Sequence, residues 1–294
     1  DPDRRTVHAG RPPTQGEKWV VSQFMRSRPL FCPRSSLAAR MHDLDPVPDE
    51  PIRFNPALDL EAAARAFAQR GRVRIADVLE PLSAARLYGC LEADVPWSLT
   101  YNEGDKSVFL DAAALQERGE RKQQELLASI LSRAQGHFQY LFRSYPMVTA
   151  YLQGHDPELF LHCAFEWLND SRTLEVLRRI TGIAALIKAN AQATLYRPGH
   201  FLKHHDDSGY PEQHRRVAYV LYLTRGWRAD WGGQLQFLDA HGEVEEVWMP
   251  RFNSLGLFLV PAPHVDSYVA PFATQPRYAI TGWLCDGPET MGSA

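Results

Sequence analysis

The spacing of apolar residues divides the chain into a helical part followed by a strand-rich part. In the first part, an apolar pattern at helical spacing begins near Leu58 and stops at Gly71, and a second helix is predicted over residues 81–92. A long helix is predicted over residues 111–145, with a charged first half and a more apolar second half. Its last segment, HFQYLFRSY at 137–145, is interpreted as a helix face.

After Gly182 the pattern changes to short strands. Seven segments rich in Val, Leu, Tyr, Phe and Trp, separated by turn residues, read ALIKANAQATLY, RVAYVLYL, GQLQFLDA, VEEVWMP, SLGLFLVP, VDSYVAP and RYAITGWL. Because no helical pattern lies between them, they indicate an antiparallel sandwich or barrel. We therefore predict a helical support over residues 41–185 and a β core over residues 186–290, within one domain spanning 41–294.

The composition and charge are those of an ordinary globular protein. The chain has 294 residues, of which 45% are hydrophobic and 23% charged, and its net charge is −3 at pH 7. This balance gives no electrostatic basis for binding nucleic acid or an anionic membrane surface, and no apolar run approaches the roughly 18 residues that a membrane span needs. The scattered cysteines, Cys32, Cys90, Cys163 and Cys285, predict reduced thiols and a cytoplasmic protein.

A cluster of ionisable residues, HHDD at 204–207, directly follows the segment GHFLK, and His264 and Arg277 lie further along the chain. Two histidines and one carboxylate form the ligand set of non-haem Fe(II) oxygenases, which leave metal positions open for a co-substrate and O2. An arginine on a neighbouring strand can bind the far carboxylate of a dicarboxylate such as 2-oxoglutarate through paired hydrogen bonds. Since side chains two residues apart share a strand face, alternation leaves both His/Asp pairs of the cluster open as ligands.

The strand-rich part resembles a known group of enzymes. The resemblance is carried by LYRPGHFLKHHDD, HRRVAYVLYLTRGWRADWGGQLQFLD, FNSLGLFLVPAPHVDSYV and RYAITGWL, which together are similar to the 2-oxoglutarate/Fe(II)-dependent prolyl hydroxylases over roughly residues 190–286. Within that group the sequence most resembles the branch that hydroxylates a proline of a ribosomal protein, with its bacterial relatives. The resemblance implies a mainly β fold with α elements: a double-stranded β-helix of the jelly-roll or cupin-like type with an N-terminal helical layer. It also implies Fe(II), 2-oxoglutarate as co-substrate and O2, with ascorbate as a candidate reductant.

The resemblance also bears on which His/Asp pair binds the metal. In the ribosomal-protein branch the motif runs Gly-x-Phe-Leu-x-x-His-x-Asp, and placing it on Gly199 selects His205 and Asp207. In the collagen-type branch the metal histidine comes one residue earlier, which would select His204 and Asp206. The Phe-Leu match favours the first register.

The remaining site residues follow from the same resemblance. His264 is then the third metal ligand, Tyr196 matches a tyrosine that contacts 2-oxoglutarate, and Arg277 matches the arginine that binds its C5 carboxylate. Tyr219 and Tyr222 are interpreted as residues of the barrel interior or flank that could line the pocket.

The expected activity is hydroxylation of a prolyl residue of a protein or peptide, coupled to oxidative decarboxylation of 2-oxoglutarate. Two alternatives remain at this point: a hydroxylase of a free amino acid or another small metabolite on the same scaffold, and a non-catalytic binding module. A cavity that opens along a groove would favour a protein substrate, and a closed cavity would favour a small molecule. Neither nucleic acid nor a membrane is expected as a partner.

The first 40 residues carry a separate resemblance. The segment VHAGRPPTQGEKWVVSQFMRSRP at 7–29 resembles the C-terminal end of a collagen-type prolyl hydroxylase domain, in which His8 would match the distal metal histidine and Lys18 a 2-oxoglutarate-binding lysine. The matching His-x-Asp half is absent upstream in this sequence. We therefore expect residues 1–40 to be an extension derived from another oxygenase unit, with Met41 opening the second unit.

Overall fold

Six α-helices and thirteen strands make up the part of the chain that the computed structural model describes, residues 52–104, 106–209 and 213–287. The helices are α1 (Leu60–Arg70), α2 (Pro81–Ala93), α3 (Ala112–Gly136), α4 (Met147–Gln153), α5 (Leu161–Leu168) and α6 (Ser171–Thr181). The strands are β1 (Arg72–Ala76), β2 (Ser98–Glu103), β3 (Lys106–Leu110), β4 (Tyr140–Tyr145), β5 (Lys188–Ala189), β6 (Gln192–Tyr196), β7 (Phe201–His205), β8 (Arg215–Tyr222), β9 (Leu235–Leu238), β10 (Val244–Trp248), β11 (Ser254–Leu259), β12 (His264–Asp266) and β13 (Arg277–Cys285). The predicted extension over residues 1–40, with His8 and Lys18, lies outside the described residues.

The first two predicted helices are present. The Asp59 carboxylate caps α1 by accepting a hydrogen bond from the Ala62 amide, and Gly71 ends it with a left-handed φ of 65°. Pro81 opens α2, where its missing amide hydrogen is no loss. Local capping signals therefore set these boundaries.

The predicted helix over residues 111–145 is wrong in its last part. Helix α3 ends at Gly136, and the segment Tyr140–Tyr145 forms strand β4. This strand pairs antiparallel with β2, β6 and β7. Long-range hydrogen bonding to three strands, together with the aromatic residues that favour strands, outweighs the helical pattern.

The region predicted as a helical support also contains a β-hairpin. Strands β2 and β3 pair from Leu99 opposite Leu110 to Glu103 opposite Lys106. Together with β1 and β4, they give the first part of the chain four strands. The support is therefore a mixed α/β layer.

The thirteen strands form one continuous antiparallel sheet, in which ten follow the order β1-β11-β8-β13-β6-β4-β7-β12-β9-β10. Off this path, β2 pairs with β4 and β3, and β5 pairs with β13. Strand β4 joins the two halves because it pairs with β6 on one side and β7 on the other. A buried cluster brings β8, β11 and β13 against β9 and β10, so the sheet folds back on itself. This arrangement is the predicted double-stranded β-helix.

Alternation along β8 separates the two faces of the larger half of the sheet. Val217 and Leu221 belong to the main core, which also contains Leu87 of α2 and Phe165 of α5. Tyr222 points to the other face, into the smaller cluster inside the fold. The helices thus cover one face of the sheet, and the barrel interior is left for the site.

Cys90 and Cys285 are buried and form no disulfide bond, as predicted. Cys163 is disulfide-bonded, contrary to the prediction that the cysteines are reduced. Among the described residues, no helix combines the length and the apolar character needed to cross a membrane.

Asn253 bonds to Leu79, in the segment between β1 and α2, and replacing Asn253 is expected to destabilise the fold. Its side-chain oxygen accepts a hydrogen bond from the Leu79 amide at 2.9 Å, and its amide donates to the Leu79 carbonyl at 2.8 Å. Asn253→Ala leaves both buried groups unpaired and places alanine at a φ of 56°, so we expect a loss of about 2–4 kcal/mol in the free energy of unfolding. Denaturant unfolding measures it. The control Asn55→Ala, which removes exposed hydrogen bonds, should lose about 1 kcal/mol or less; equal losses would contradict the prediction.

Candidate metal centre

Two histidines and an aspartate converge at the end of β7. His205 ends β7, His264 opens β12, and the two residues pair across the antiparallel ladder with ring centroids 4.1 Å apart. Asp207 follows β7, with one carboxylate oxygen 3.5 Å from His205 Nε2 and the other 3.6 Å from His264 Nε2. The three potential ligand atoms lie within 4.8 Å of one another. A single metal ion could contact all three.

The backbone fixes the orientation of both imidazoles. His205 Nδ1 lies 2.9 Å from the Lys203 carbonyl, and His264 Nδ1 lies 2.7 Å from the Ala262 carbonyl. Because a carbonyl oxygen only accepts, each Nδ1 carries the proton and donates it. Each Nε2 is then left with its lone pair directed to the centre, which is the usual outer support of a metal-bound histidine.

The chain turns sharply after β7, and this turn determines which carboxylate faces the histidines. Asp207 has a φ of 62°, in the left-handed region that aspartate tolerates better than most residues. Its neighbour Asp206 is exposed and accepts hydrogen bonds from the Ser208 amide and hydroxyl. His204 is also exposed. Of the two registers that alternation left open, the structure brings His205 and Asp207 to His264.

Burial and mutual contact shift the pKa values of the three groups. Burial alone would raise the pKa of Asp207, but the hydrogen bond and charge of His205 outweigh it and lower that pKa. Burial likewise opposes a charged His205, yet Asp207 raises the His205 pKa. Burial and the neighbouring His205 lower the pKa of His264. A metal ion must displace the proton that Asp207 favours on His205, so metal binding weakens as the pH falls.

A second polar group lies next to the triad. Arg277 opens β13 directly opposite Tyr196 of β6, with its guanidinium carbon 4.4 Å from the Tyr196 ring centroid. Arg277 is 2% exposed, and its Nη2 donates to Asp266 at 2.8 Å. The Tyr196 hydroxyl donates to the other Asp266 oxygen at 3.2 Å. The two residues predicted to bind 2-oxoglutarate therefore lie side by side, joined by a carboxylate that the sequence reasoning missed.

Burial and the Asp266 carboxylate together determine the protonation of Arg277 and Tyr196. Burial alone would lower the pKa of Arg277, but Asp266 raises it. Burial, and then the Asp266 carboxylate, raise the pKa of Tyr196 well above its usual value. Arg277 is therefore a permanent cation, and the Tyr196 hydroxyl a permanent donor.

A cavity of about 610 Å³ joins the triad to the Arg277 group and to the protein surface. Beside Asp207, the Arg215 guanidinium stacks on the Trp283 ring at 3.5 Å from its centroid, and Arg215 Nη1 donates to the Asp207 carbonyl at 3.4 Å. On another wall, the Phe138 ring lies 5.9 Å from the His205 ring and is 46% exposed. Phe109, also on the cavity wall, is 45% exposed.

Gly282, in the motif Arg-x-x-x-x-Gly-Trp, shapes the cavity wall. A Cβ at this position would collide with the Asn190 carbonyl and come within 3.0 Å of the Tyr219 ring. The Tyr219 hydroxyl donates to the same carbonyl at 2.7 Å. Tyr219 and Gly282 line the cavity, as does Asn190.

Asp266, Trp283 and Phe138 are among the site residues that were not predicted from the sequence, although two of these three had a readable signal. Asp266 lies two residues after His264 on one strand, and Trp283 lies six residues after Arg277 on another, so alternation places each on the same face as its partner. Phe138 had no such signal, because its segment was interpreted as a helix.

The donor set fits Fe(II). Two neutral imidazole nitrogens and one carboxylate on one side of a metal are the ligands of non-haem Fe(II) oxygenases. Arg277 Nε and Nη1 are buried without a hydrogen-bond partner among the described residues, so they are available to a carboxylate ligand. These observations fit Fe(II) and 2-oxoglutarate together.

Comparison with known proteins agrees with this chemistry. Residues 191–285 match the family model of the 2OG-Fe(II) oxygenase superfamily, and this range contains all the residues of the triad and the Arg277 group. No curated protein matches the chain at a significant level.

Two solved structures share the fold at low sequence identity, and a third is similar with a lower TM-score. An oxidoreductase of the 2OG-Fe(II) oxygenase family from Burkholderia pseudomallei has a TM-score of 0.52 and 13% identity, over 82% of this chain and 97% of that one. A prolyl hydroxylase from Trichoplax adhaerens, in complex with a peptide fragment of the hypoxia inducible factor oxygen degradation domain, has a TM-score of 0.50 and 17% identity, over 77% and 89% of the two chains. A Pseudomonas putida prolyl-4-hydroxylase has a TM-score of 0.45 and 19% identity, over 78% and 100%.

Proposed function

We propose that this chain, a 2-oxoglutarate- and Fe(II)-dependent dioxygenase whose residues 191–285 match the oxygenase superfamily, hydroxylates a prolyl residue of a protein or peptide. The observation that carries the substrate proposal is the open cavity, which is lined by the triad, by Trp283 and by half-exposed aromatic side chains. An open, aromatic wall suits an extended peptide with an apolar proline ring.

In this proposal His205, Asp207 and His264 hold Fe(II), and Arg277 and Tyr196 hold the distal carboxylate of 2-oxoglutarate. The bound iron, with 2-oxoglutarate and O2, supplies the oxidation that converts a C–H bond to C–OH while 2-oxoglutarate is converted to succinate and CO2. The protein's part is to orient both substrates and exclude water from a site whose polar groups are already positioned.

The proposed binding surface for the proline ring is formed by Trp283 and Arg215. Trp283 lines the cavity next to Asp207, and its Nε1 is buried without a hydrogen-bond partner among the described residues. Arg215 covers the ring on one side. A pyrrolidine ring can pack against such a surface while a backbone carbonyl of the peptide accepts from Nε1.

Substrate class is tested by anaerobic titration with Fe(II) and 2-oxoglutarate, followed by O2 and a panel of prolyl peptides and free amino acids. We expect the visible absorbance of a metal–2-oxoglutarate complex, succinate formation stimulated by peptides, and gain of one oxygen atom on a prolyl residue by mass spectrometry. The absence of that absorbance would overturn the enzymatic function. Oxygenation of a free amino acid without peptide turnover would instead establish the small-molecule alternative.

Trp283→Leu is expected to lower peptide turnover at a fixed low peptide concentration by at least about 10-fold, because it removes the aromatic surface and the free donor. Affinity for 2-oxoglutarate should stay within about 3-fold, since Arg277 and Tyr196 are unchanged. Trp227→Leu is the matched control: Trp227 packs on Trp231 with ring centroids 5.3 Å apart and is not among the cavity residues. Equal losses in the two variants would contradict the assignment.

A further inference from the structure

Asp266 bonds to both groups that the proposed function assigns to the distal carboxylate of 2-oxoglutarate. It lies on the same strand face as His264 and is 9% exposed. Its two oxygens accept hydrogen bonds from Arg277 Nη2 and from the Tyr196 hydroxyl. These are the same two groups to which the proposed function assigns the C5 carboxylate. Asp266 therefore makes the contacts of a bound co-substrate carboxylate from within the chain.

We propose that Asp266 is a built-in competitor for the distal carboxylate of 2-oxoglutarate and sets the affinity and selectivity for this co-substrate. The inference rests on the proposed function, because it takes Arg277 and Tyr196 as the co-substrate site. On binding, the incoming carboxylate displaces Asp266 from Tyr196 and from part of the Arg277 guanidinium. Arg277 Nε and Nη1, which lack partners among the described residues, are the donors left available for that exchange.

The charges beside Arg277 indicate that Asp266 weakens binding of the co-substrate. One buried guanidinium faces one buried carboxylate, so the pair is already neutral before a dianionic co-substrate arrives. A second carboxylate beside Arg277 adds like-charge repulsion with Asp266, which is strong for buried groups because screening by water is weak. Removing the charge of Asp266 should therefore strengthen binding of the dicarboxylate and leave a monocarboxylic 2-oxo acid unaffected.

The test compares 2-oxoglutarate with 2-oxopentanoate, which has the same chain length but no second carboxylate. Calorimetric titrations of the Mn(II)-loaded protein measure both affinities without turnover. In Asp266→Asn we expect 2-oxoglutarate to bind at least about 10-fold more tightly, with 2-oxopentanoate changed less than about 3-fold. The control Asp230→Asn removes an exposed carboxylate that pairs with Arg228, and it should change neither affinity.

Weaker or unchanged 2-oxoglutarate binding in Asp266→Asn, or an equal gain for both ligands, would overturn the inference. If this variant does not fold, Asp266→Ser, which also removes the carboxylate, is measured in its place, and the same outcomes for the two ligands support or overturn the inference. Absence of 2-oxoglutarate binding to both proteins, with Mn(II) bound normally, would overturn the proposed function and this inference with it. Binding by the variant alone would support both.

Discussion

Replacing His205 with alanine is expected to lower the affinity for a divalent metal ion by at least about 100-fold, because it removes one of the three metal ligands. Loss of a residue that only hydrogen-bonds to a metal ligand already lowers metal affinity by about 10–100-fold. The reason is geometric: His205 Nε2 is one of the three atoms that meet within 4.8 Å, and its Nδ1 is held by a backbone carbonyl. Anaerobic calorimetry with Fe(II), or with Mn(II) as a redox-inert substitute, measures the change. His264→Ala should show a comparable loss.

The neighbouring histidine supplies the control. His204→Ala alters an exposed side chain one residue away and should leave metal affinity within about 3-fold of that of the unchanged protein. Circular dichroism on both variants separates loss of the metal from loss of the fold. Retained binding in His205→Ala together with lost binding in His204→Ala would show that the metal pair is His204/Asp206.

The sequence predicted the residue types of this site more securely than their geometry. Alternation could not choose between the two His/Asp pairs, because a shift of one residue moves a whole pair to the other strand face. The choice depends on the turn after β7, where Asp207 adopts a φ of 62° and Asp206 bonds to Ser208. A propensity scale does not encode that turn; a motif of fixed spacing does.

The fold shows a similar division between local and long-range information. Helix α1 was predictable because its capping residues lie in its own sequence. Strand β4 was not, since it is stabilised by β2, β6 and β7, whose pairings join residues up to about sixty positions apart. Because of this error Phe138 was not recognised as a site residue, although it lies two residues before β4 and beside His205.

Asp266 is a site residue that the family motif did not identify. The resemblance directed attention to His264 and Arg277, and the residue that lies beside both of them had no role in it. Strand alternation alone places Asp266 next to His264, but only the structure shows that it bonds to Arg277 and Tyr196. The pairing of a buried cation with an internal anion makes stability and co-substrate binding depend on the same residues.

Arg277→Met is expected to reduce 2-oxoglutarate affinity by about 10–150-fold, the equivalent of one charge-assisted hydrogen bond of 1.5–3 kcal/mol. The loss has two sources, since the guanidinium disappears and the Asp266 carboxylate stays to repel the ligand. Metal affinity should change little, because Arg277 contacts none of the three ligand groups through a hydrogen bond. Calorimetry with Mn(II) and 2-oxoglutarate measures both quantities on one sample.

The same substitution should destabilise the protein by about 3–5 kcal/mol, because it leaves Asp266 buried without its cation. The double variant Arg277→Met/Asp266→Asn removes that stranded charge, so most of the lost free energy of unfolding should return, while 2-oxoglutarate affinity stays below that of the unchanged protein. Chemical denaturation and calorimetry on the single and double variants form a complete cycle. Full recovery of co-substrate affinity together with stability would mean that Arg277 acts on binding only by supporting the fold and by pairing with Asp266. Recovery of stability alone would identify Arg277 as a direct partner of the carboxylate.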